Sequence, residues 1–179
     1  MTDPLEIIRK YYRPGSQLYE TLVIHSEKVR DKALECINRR GLEVDKDFVA
    51  SAAMLHDIGI FRCDAPDIYC TGSLPYICHG VEGRKILEAE GLPRQALVCE
   101  RHTGSGLTVE DIIRQNLPLP HRDMTPRSLE EKLICYADKF YSKSGDIRAE
   151  KSLDRVLRSM ERHGADTLAR FLEFHALFG

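Results

Sequence analysis

Apolar residues recur at intervals of three and four along most of this chain, the period of helices that bury one face. The clearest stripe is Leu18, Leu22, His25, Val29, Ala33 and Cys36. It predicts a long helix over residues 16–40, ended by Gly41, because glycine takes the left-handed backbone that closes helices. A shorter helix is expected before it, over residues 4–12, with Asp3 as N-cap and Pro4 at the first helical position. Asp45 or Asp47 caps a third helix, whose alanine-rich stretch over residues 49–55 allows close packing up to His56.

Residues 61–75 (FRCDAPDIYCTGSLP) carry turn residues and no helical period, as expected of a loop that walls or covers a site. Helices are predicted again over residues 76–90 and 93–103, ended by Gly91 and Gly104. Thr108 with Asp111, and Ser128 with Glu131, have the spacing of capping boxes, the second opening a helix to about Ser142. Residues 117–126 form a proline-rich connector, and residues 151–178 are expected to form one helix or two broken at Gly164. No segment alternates with a strand period, so the expected fold class is all-α.

At 179 residues the chain is expected to be a single domain, its core over about residues 16–145 and a helical extension over residues 146–179. Hydrophobic residues make up 42% and charged residues 30%, ordinary for a globular protein. A net charge of −2 leaves no electrostatic footprint for a nucleic-acid polymer, whereas a small anionic substrate stays compatible with it if bound cations set the local sign. No apolar run reaches the ~20 residues of a membrane span, and residues 1–10 lack a signal-peptide core. The six cysteines form no CxxC pair, so free, buried thiols are expected for all of them. A reduced, cytoplasmic protein without membrane partners follows, as monomer or homodimer.

The polar exceptions to this pattern carry the chemistry. His56 and Asp57 stand side by side at the end of an apolar helix, where unpartnered polar groups cost several kcal/mol. His25 lies on the buried stripe of the long helix. Asp138 follows Ile134 by one turn, which places a carboxylate on an apolar face. His79 opens the run HGVEGRKIL, and His102 follows Val98 by one turn. Four separately improbable burials become reasonable if they meet at metal.

The order His25, His56-Asp57 and Asp138, with the doublet inside His-Asp-Ile-Gly, resembles the HD-domain superfamily of metal-dependent phosphohydrolases. The resemblance implies an all-α bundle of at least five helices with a metal site at its centre. It implies a first metal on His25, His56, Asp57 and Asp138. It implies a second on His79 and His102, with Asp57 bridging both ions and acting in catalysis. Mixed imidazole and carboxylate donors suit Fe, Mn, Zn, Ni or Co. Two departures narrow the branch. Ile60 stands where many relatives have lysine, and Thr103 stands where the cyclic-dinucleotide-degrading branch has a second histidine. The six-ligand pattern and Ala137-Asp138-Lys139 look more like the small branch that includes diadenosine-tetraphosphate hydrolases.

The implied function is hydrolysis of a small phosphate ester, a nucleotide or dinucleotide by analogy, with water activated between two cations. Arg62, Lys139 and Lys143 are the expected substrate-binding cations, with Arg84 and Arg101 as further candidates beside the added histidines. Gly104-Ser105-Gly106 offers either backbone donors for an anion or a plain turn. Two rivals stand beside this reading, a mixed-valence di-iron oxygenase of the same superfamily and a non-catalytic nucleotide-binding module. His121, His163 and His175 are assigned no chemistry, and Cys63 and Cys70 are expected to be structural.

Overall fold

The computed structural model describes residues 3–179. The helices are α1 (Pro4–Tyr11), α2 (Gln17–Arg40), α3 (Lys46–Leu55), α4 (His79–Ala89), α5 (Pro93–Arg101), α6 (Val109–Arg114), α7 (Leu129–Asp138), α8 (Leu153–His163) and α9 (Ala165–Phe178). The all-α expectation holds, with one small addition. Between α3 and α4 a two-stranded antiparallel ladder, β1 (Asp64–Ala65) and β2 (Cys70–Thr71), ties the loop to itself. Two-residue strands are too short to show a period, which is why alternation did not reveal them. Among the described residues no helix is long and apolar enough to cross a membrane.

The helix starts follow local hydrogen-bond chemistry. Asp3 accepts from the Leu5 amide, Ser16 from Tyr19, Asp45 from Phe48 and Ser128 from Glu131. Asp45 is therefore the cap of α3. At Thr108 the full reciprocal capping box forms with Asp111. Gly41 ends α2 at φ 62°, and Gly164 separates α8 from α9 at φ 123°, so the C-terminal stretch is two helices. Two predicted boundaries move. Residues 76–78 form a 3-10 turn, and α4 begins at His79. Helix α7 stops at Asp138 rather than near Ser142, and the chain beyond it turns so that Lys143 points back inward.

Two large apolar clusters fill most of the interior, beside a smaller one of Cys78, Val81, Ile112, Leu119 and Met124. One lies among α2, α3, α7, α8 and α9, with Val29, Ala33, Ala52, Tyr136, Val156 and Phe171. The other lies among α1, the start of α2, the end of α3, α4 and α5, with Ile8, Leu22, Leu55, Ile58, Leu87 and Cys99. Helices α8 and α9 belong to the first cluster. Tyr136 stacks on Phe171 with ring centroids 5.3 Å apart, and the Tyr136 hydroxyl lies 2.9 Å from Nδ1 of His175. The guanidinium groups of Arg39 and Arg40 donate to the last carbonyls of α9, where the helix dipole favours cations.

The polar residues sit at the seam between these clusters. His25 stands one turn from Leu22 of one cluster and one turn from Val29 of the other. His102 follows Val98 and Cys99, one from each. Helix α4 approaches so closely that a Cβ on Gly59 would lie 2.2 Å from the His79 carbonyl oxygen, and one on Gly80 would lie 2.6 Å from that of Cys99. Glycine at both positions lets the chains bearing Asp57, His79 and His102 converge.

Candidate metal centre

Six side chains converge at the seam. His25, His56, Asp57 and Asp138 form one group with donor atoms all within 4.8 Å of one another, and Asp57, His79 and His102 form a second. Every member is buried. The predicted ligands are thus brought together, from α2, the end of α3, the start of α4, the end of α5 and the end of α7.

Asp57 lies at the centre. Its Oδ2 is 3.3 Å from His25 Nε2 and 3.1 Å from His56 Nε2. Its Oδ1 is 3.3 Å from His79 Nε2 and 3.2 Å from His102 Nε2. One carboxylate oxygen therefore serves each group. Asp138 closes the first group, with Oδ1 at 2.9 Å from His25 Nε2 and 3.3 Å from His56 Nε2.

Three of the four imidazoles are oriented in the same way. Nδ1 of His56 contacts the Ala53 carbonyl at 2.7 Å, Nδ1 of His79 that of Tyr76 at 2.6 Å, and Nδ1 of His102 that of Cys99 at 2.7 Å. A carbonyl only accepts, so each Nδ1 carries a proton, and each ring in its neutral form presents its Nε2 lone pair to the centre. Carbonyl contacts of this kind fix the tautomer of metal-ligating histidines. His25 Nδ1, by contrast, is buried without a hydrogen-bond partner. The stacking of Tyr76 on His79, with centroids 4.4 Å apart, further restrains that ring.

The donor set fits divalent cations. The Nε2 atoms of His79 and His102 face one another at 3.1 Å, and both Asp57 oxygens are buried without a properly oriented hydrogen-bond donor. Two lone pairs and a desolvated carboxylate at such range need positive charge between them. The electrostatics of the site follow from the same contacts. Burial favours neutral Asp57 and Asp138, but the neighbouring cations win and hold both carboxyls well below their usual range. Burial opposes a proton on His56, but Asp57 and Asp138 outweigh it and raise its pKa to about 10. His102 goes the other way, to about 4, because burial dominates its contact with Asp57.

Lysines supply further charge. Lys143 Nζ lies 2.7 Å from Asp57 Oδ2, and Lys139 Nζ lies 2.6 Å from Asp138 Oδ2 and 2.9 Å from the His102 carbonyl oxygen. Two of the three expected substrate-binding cations therefore stand at the centre. Arg62 does not join them. Its side chain is exposed, with the guanidinium 4.9 Å from the Phe61 ring centroid on the outer face. Ile60 is fully buried among Leu55, Ile58 and Tyr12, so the segment after the doublet brings no cation inward.

The other candidates have structural tasks. Arg84 pairs with Glu88 and Glu100, and Arg101 with Glu131. Glu100, buried and also bound by Arg122, anchors the proline-rich connector. Ser105 donates to the Thr167 carbonyl, which docks the Gly104–Gly106 turn on α9. His121 and His163 are exposed, and all six cysteines are free and buried. Among the described residues no cysteine belongs to a possible metal group.

Tyr76, predicted only as the start of a helix, belongs to the site; it precedes His79 by three residues, as Ala53 precedes His56 and Cys99 precedes His102. A cavity of about 350 Å³ opens beside it, lined by Pro66, Ile68, Tyr76, Tyr141, Ser142 and Lys143. One larger hollow, of about 460 Å³, lies beside Asp3, Arg30 and Met54, but Tyr76 and Lys143 connect this one directly to the metal-ligand cluster.

The comparisons with known proteins agree with this arrangement. The HD domain family matches residues 22–142. An uncharacterised protein of Methanocaldococcus jannaschii is 36% identical over 147 residues, covering 80% of this chain and 77% of that protein. A tRNA (cytidine(56)-2'-O)-methyltransferase of Picrophilus torridus is 32% identical over 129 residues, 72% of this chain. Another of Thermoplasma volcanium is 25% identical over 95% of this chain. The chain spans only 33% and 45% of the length of those two methyltransferases. Among solved structures, the HD domain of the L. monocytogenes phosphodiesterase PgpH superposes with a TM-score of 0.53 at 14% identity, covering 97% of this chain and 95% of that one, a likeness of fold.

Proposed function

The chain belongs to the HD domain family, and on that premise we propose that it is a metal-dependent phosphohydrolase acting on a small phosphate ester. The observation that carries this reading is the sharing of Asp57 between two ligand groups, one oxygen toward His25 and His56 and the other toward His79 and His102. Two divalent transition-metal cations held this way would lower the pKa of water and clamp the entering and leaving oxygens of a phosphoryl group.

The chain's own residues supply the rest. Asp57 and Asp138 bring negative charge that the histidines alone would lack. Lys143, which lines the Tyr76 cavity, offers an ammonium donor suited to non-bridging phosphate oxygens, and Lys139, paired with Asp138, adds positive charge to the centre. The cavity has the size of a small-molecule site, and its two tyrosines give a nucleobase or similar flat group an apolar surface. The six converging side chains are histidines and aspartates, with no thiol among them, which favours direct attack by water over a covalent enzyme intermediate. The methyltransferase activity named for two relatives is not carried to this chain, which corresponds to less than half of their length.

The test is a panel of phosphate mono- and diesters, including nucleotides and dinucleoside polyphosphates, run on chelated protein and on protein reloaded with Mn, Fe, Co, Ni or Zn. Hydrolysis restored only by metal is expected. Turnover that requires dioxygen and reduced iron, with no ester cleaved, would move the protein to the oxygenase reading. Tight nucleotide binding with full metal content and no turnover would make it a binding module.

A further inference from the structure

Lys139, Lys143 and Arg155 lie within electrostatic reach of Lys151, and of these four cations only Lys139 and Lys143 have carboxylate partners. Lys139 is paired with Asp138, and Lys143 with Asp57. Among the described residues Lys151 and Arg155 form no ion pair. The Lys151 Nζ has only the Lys139 carbonyl, at 3.4 Å. Lys151 is partly buried, and that burial, with the charges of Lys139, Arg155 and Lys143, outweighs the attraction of Asp138 and holds its pKa below the ordinary lysine value. A protein gains nothing in stability by crowding unpaired cations.

These two side chains line a second cavity of about 130 Å³, together with Ser142, Ser144, Asp146 and Glu150. The serine hydroxyls have no hydrogen-bond partner among the described residues. Of the two carboxylates, Glu150 is ion-paired away from the cavity and Asp146 caps its own turn. Glu150 is bound by Lys32 and lies 3.3 Å from the Tyr141 hydroxyl, and Asp146 accepts from the Arg148 amide at 3.2 Å. Ser142 and Ser144 flank Lys143, and both also line the Tyr76 cavity. The turn they form is thus the wall between the two hollows. Lys143 turns inward to Asp57 while its neighbours face the second cavity.

We propose that this second cavity is an anion subsite that takes a further phosphate of the same substrate, so that the preferred substrates carry two phosphate groups. This inference rests on the phosphohydrolase reading for the first phosphate, and it adds a specificity device to it. Lys151 and Arg155 provide charge, Ser142 and Ser144 provide hydroxyl donors, and the organic part of the substrate spans the Tyr76 cavity between the two anions. None of these four residues touches the metal ligands, so the subsite sets substrate preference without altering the reacting centre.

The test compares a nucleoside bisphosphate with its two monophosphates on metal-loaded wild type, on Arg155→Gln, and on the double variant Lys151→Met with Arg155→Met. Wild type should show a KM for the bisphosphate about tenfold below those of the monophosphates, the scale of one charge-assisted hydrogen bond. The double variant should lose that preference while monophosphate turnover and metal content stay at wild-type levels, and Arg155→Gln, at an exposed position, should lose part of it. A preference kept in the double variant, or absent in wild type, would overturn the subsite and leave the phosphohydrolase reading intact. If no ester is turned over, that reading falls, and equilibrium dialysis of the bisphosphate judges the subsite alone. About tenfold weaker binding by the double variant would sustain it, and equal binding would overturn it.

Discussion

His79 and His102 face each other Nε2 to Nε2 at 3.1 Å across the Oδ1 atom of Asp57. Each ring is turned by its Nδ1 toward a carbonyl three residues earlier. Helix α4 and the end of α5 therefore hold two lone pairs in opposition, an arrangement that a bound cation would relieve. In the other half of the centre, Asp138 and the second oxygen of Asp57 play the corresponding part for His25 and His56.

The two halves should be separable. His102→Ala removes a donor of the second group only, so about one metal per chain should remain while phosphate-ester hydrolysis falls by at least a hundredfold, the scale on which a lost catalytic electrostatic contact is felt. Metal counting on purified His79→Ala and His102→Ala proteins reads this directly. Two metals per chain in both variants would remove these histidines from the centre.

Asp57→Ala should behave differently, since both groups share this residue. Both metals should be lost together, along with the stabilisation that ligand binding gives the folded state, about 3 kcal/mol at a hundredfold excess of metal over Kd. Calorimetric melts with and without added metal would show a shift in wild type and none in the variant. A metal-dependent shift retained in Asp57→Ala would contradict the bridging role.

Gly59 has a task that no ligand scan would find. Because a Cβ there would meet the His79 carbonyl oxygen at 2.2 Å, Gly59→Ala must push α4 away from the doublet. A cost of about 1–3 kcal/mol is expected, the range for overpacking a tight interior. His79 moves with α4, so the second metal should be lost before the first. Unchanged melting temperature and metal content would show that the two segments part without consequence.

The pH dependence of chelator-treated protein has a defined sign. With Asp57 and Asp138 outweighing burial, His56 in the folded chain holds its proton up to a pKa of about 10, against 6.5 when unperturbed. The stability it contributes is fully present below pH 6.5 and is lost as pH rises through about 10. Melting temperatures should decline across that window in chelated wild type and much less in chelated His56→Gln. In metal-saturated protein the decline should also shrink, because a ligating imidazole is already deprotonated. Equal slopes in the wild type and His56→Gln would assign the effect to other groups.

Much of this was legible in the chain because helices and buried ligands share one period. His25 keeps the spacing of Leu22 and Val29, and Asp138 that of Ile134, so their burial followed from the same stripes that predicted the helices. The caps at Asp3, Thr108 and Ser128 were equally readable, since each is a local bond between a side chain and an amide two or three residues on. The loop over residues 61–75 hid its ladder because two-residue strands have no alternation to detect. The end of α7 was misplaced because Lys139 and Lys143 look like solvated helix residues, whereas they are drawn to carboxylates that arrive from distant segments. Arg62 failed for the converse reason: its nearness to the doublet in sequence does not fix the direction of its side chain.

The most direct test of the account is single-turnover hydrolysis of a phosphate ester in heavy-oxygen water by protein carrying two metals per chain. One labelled oxygen in the product phosphate, with activity abolished by chelation, restored by metal and indifferent to dioxygen, is the predicted result. Label entering from dioxygen instead, or no ester cleavage at any metal loading, would contradict it.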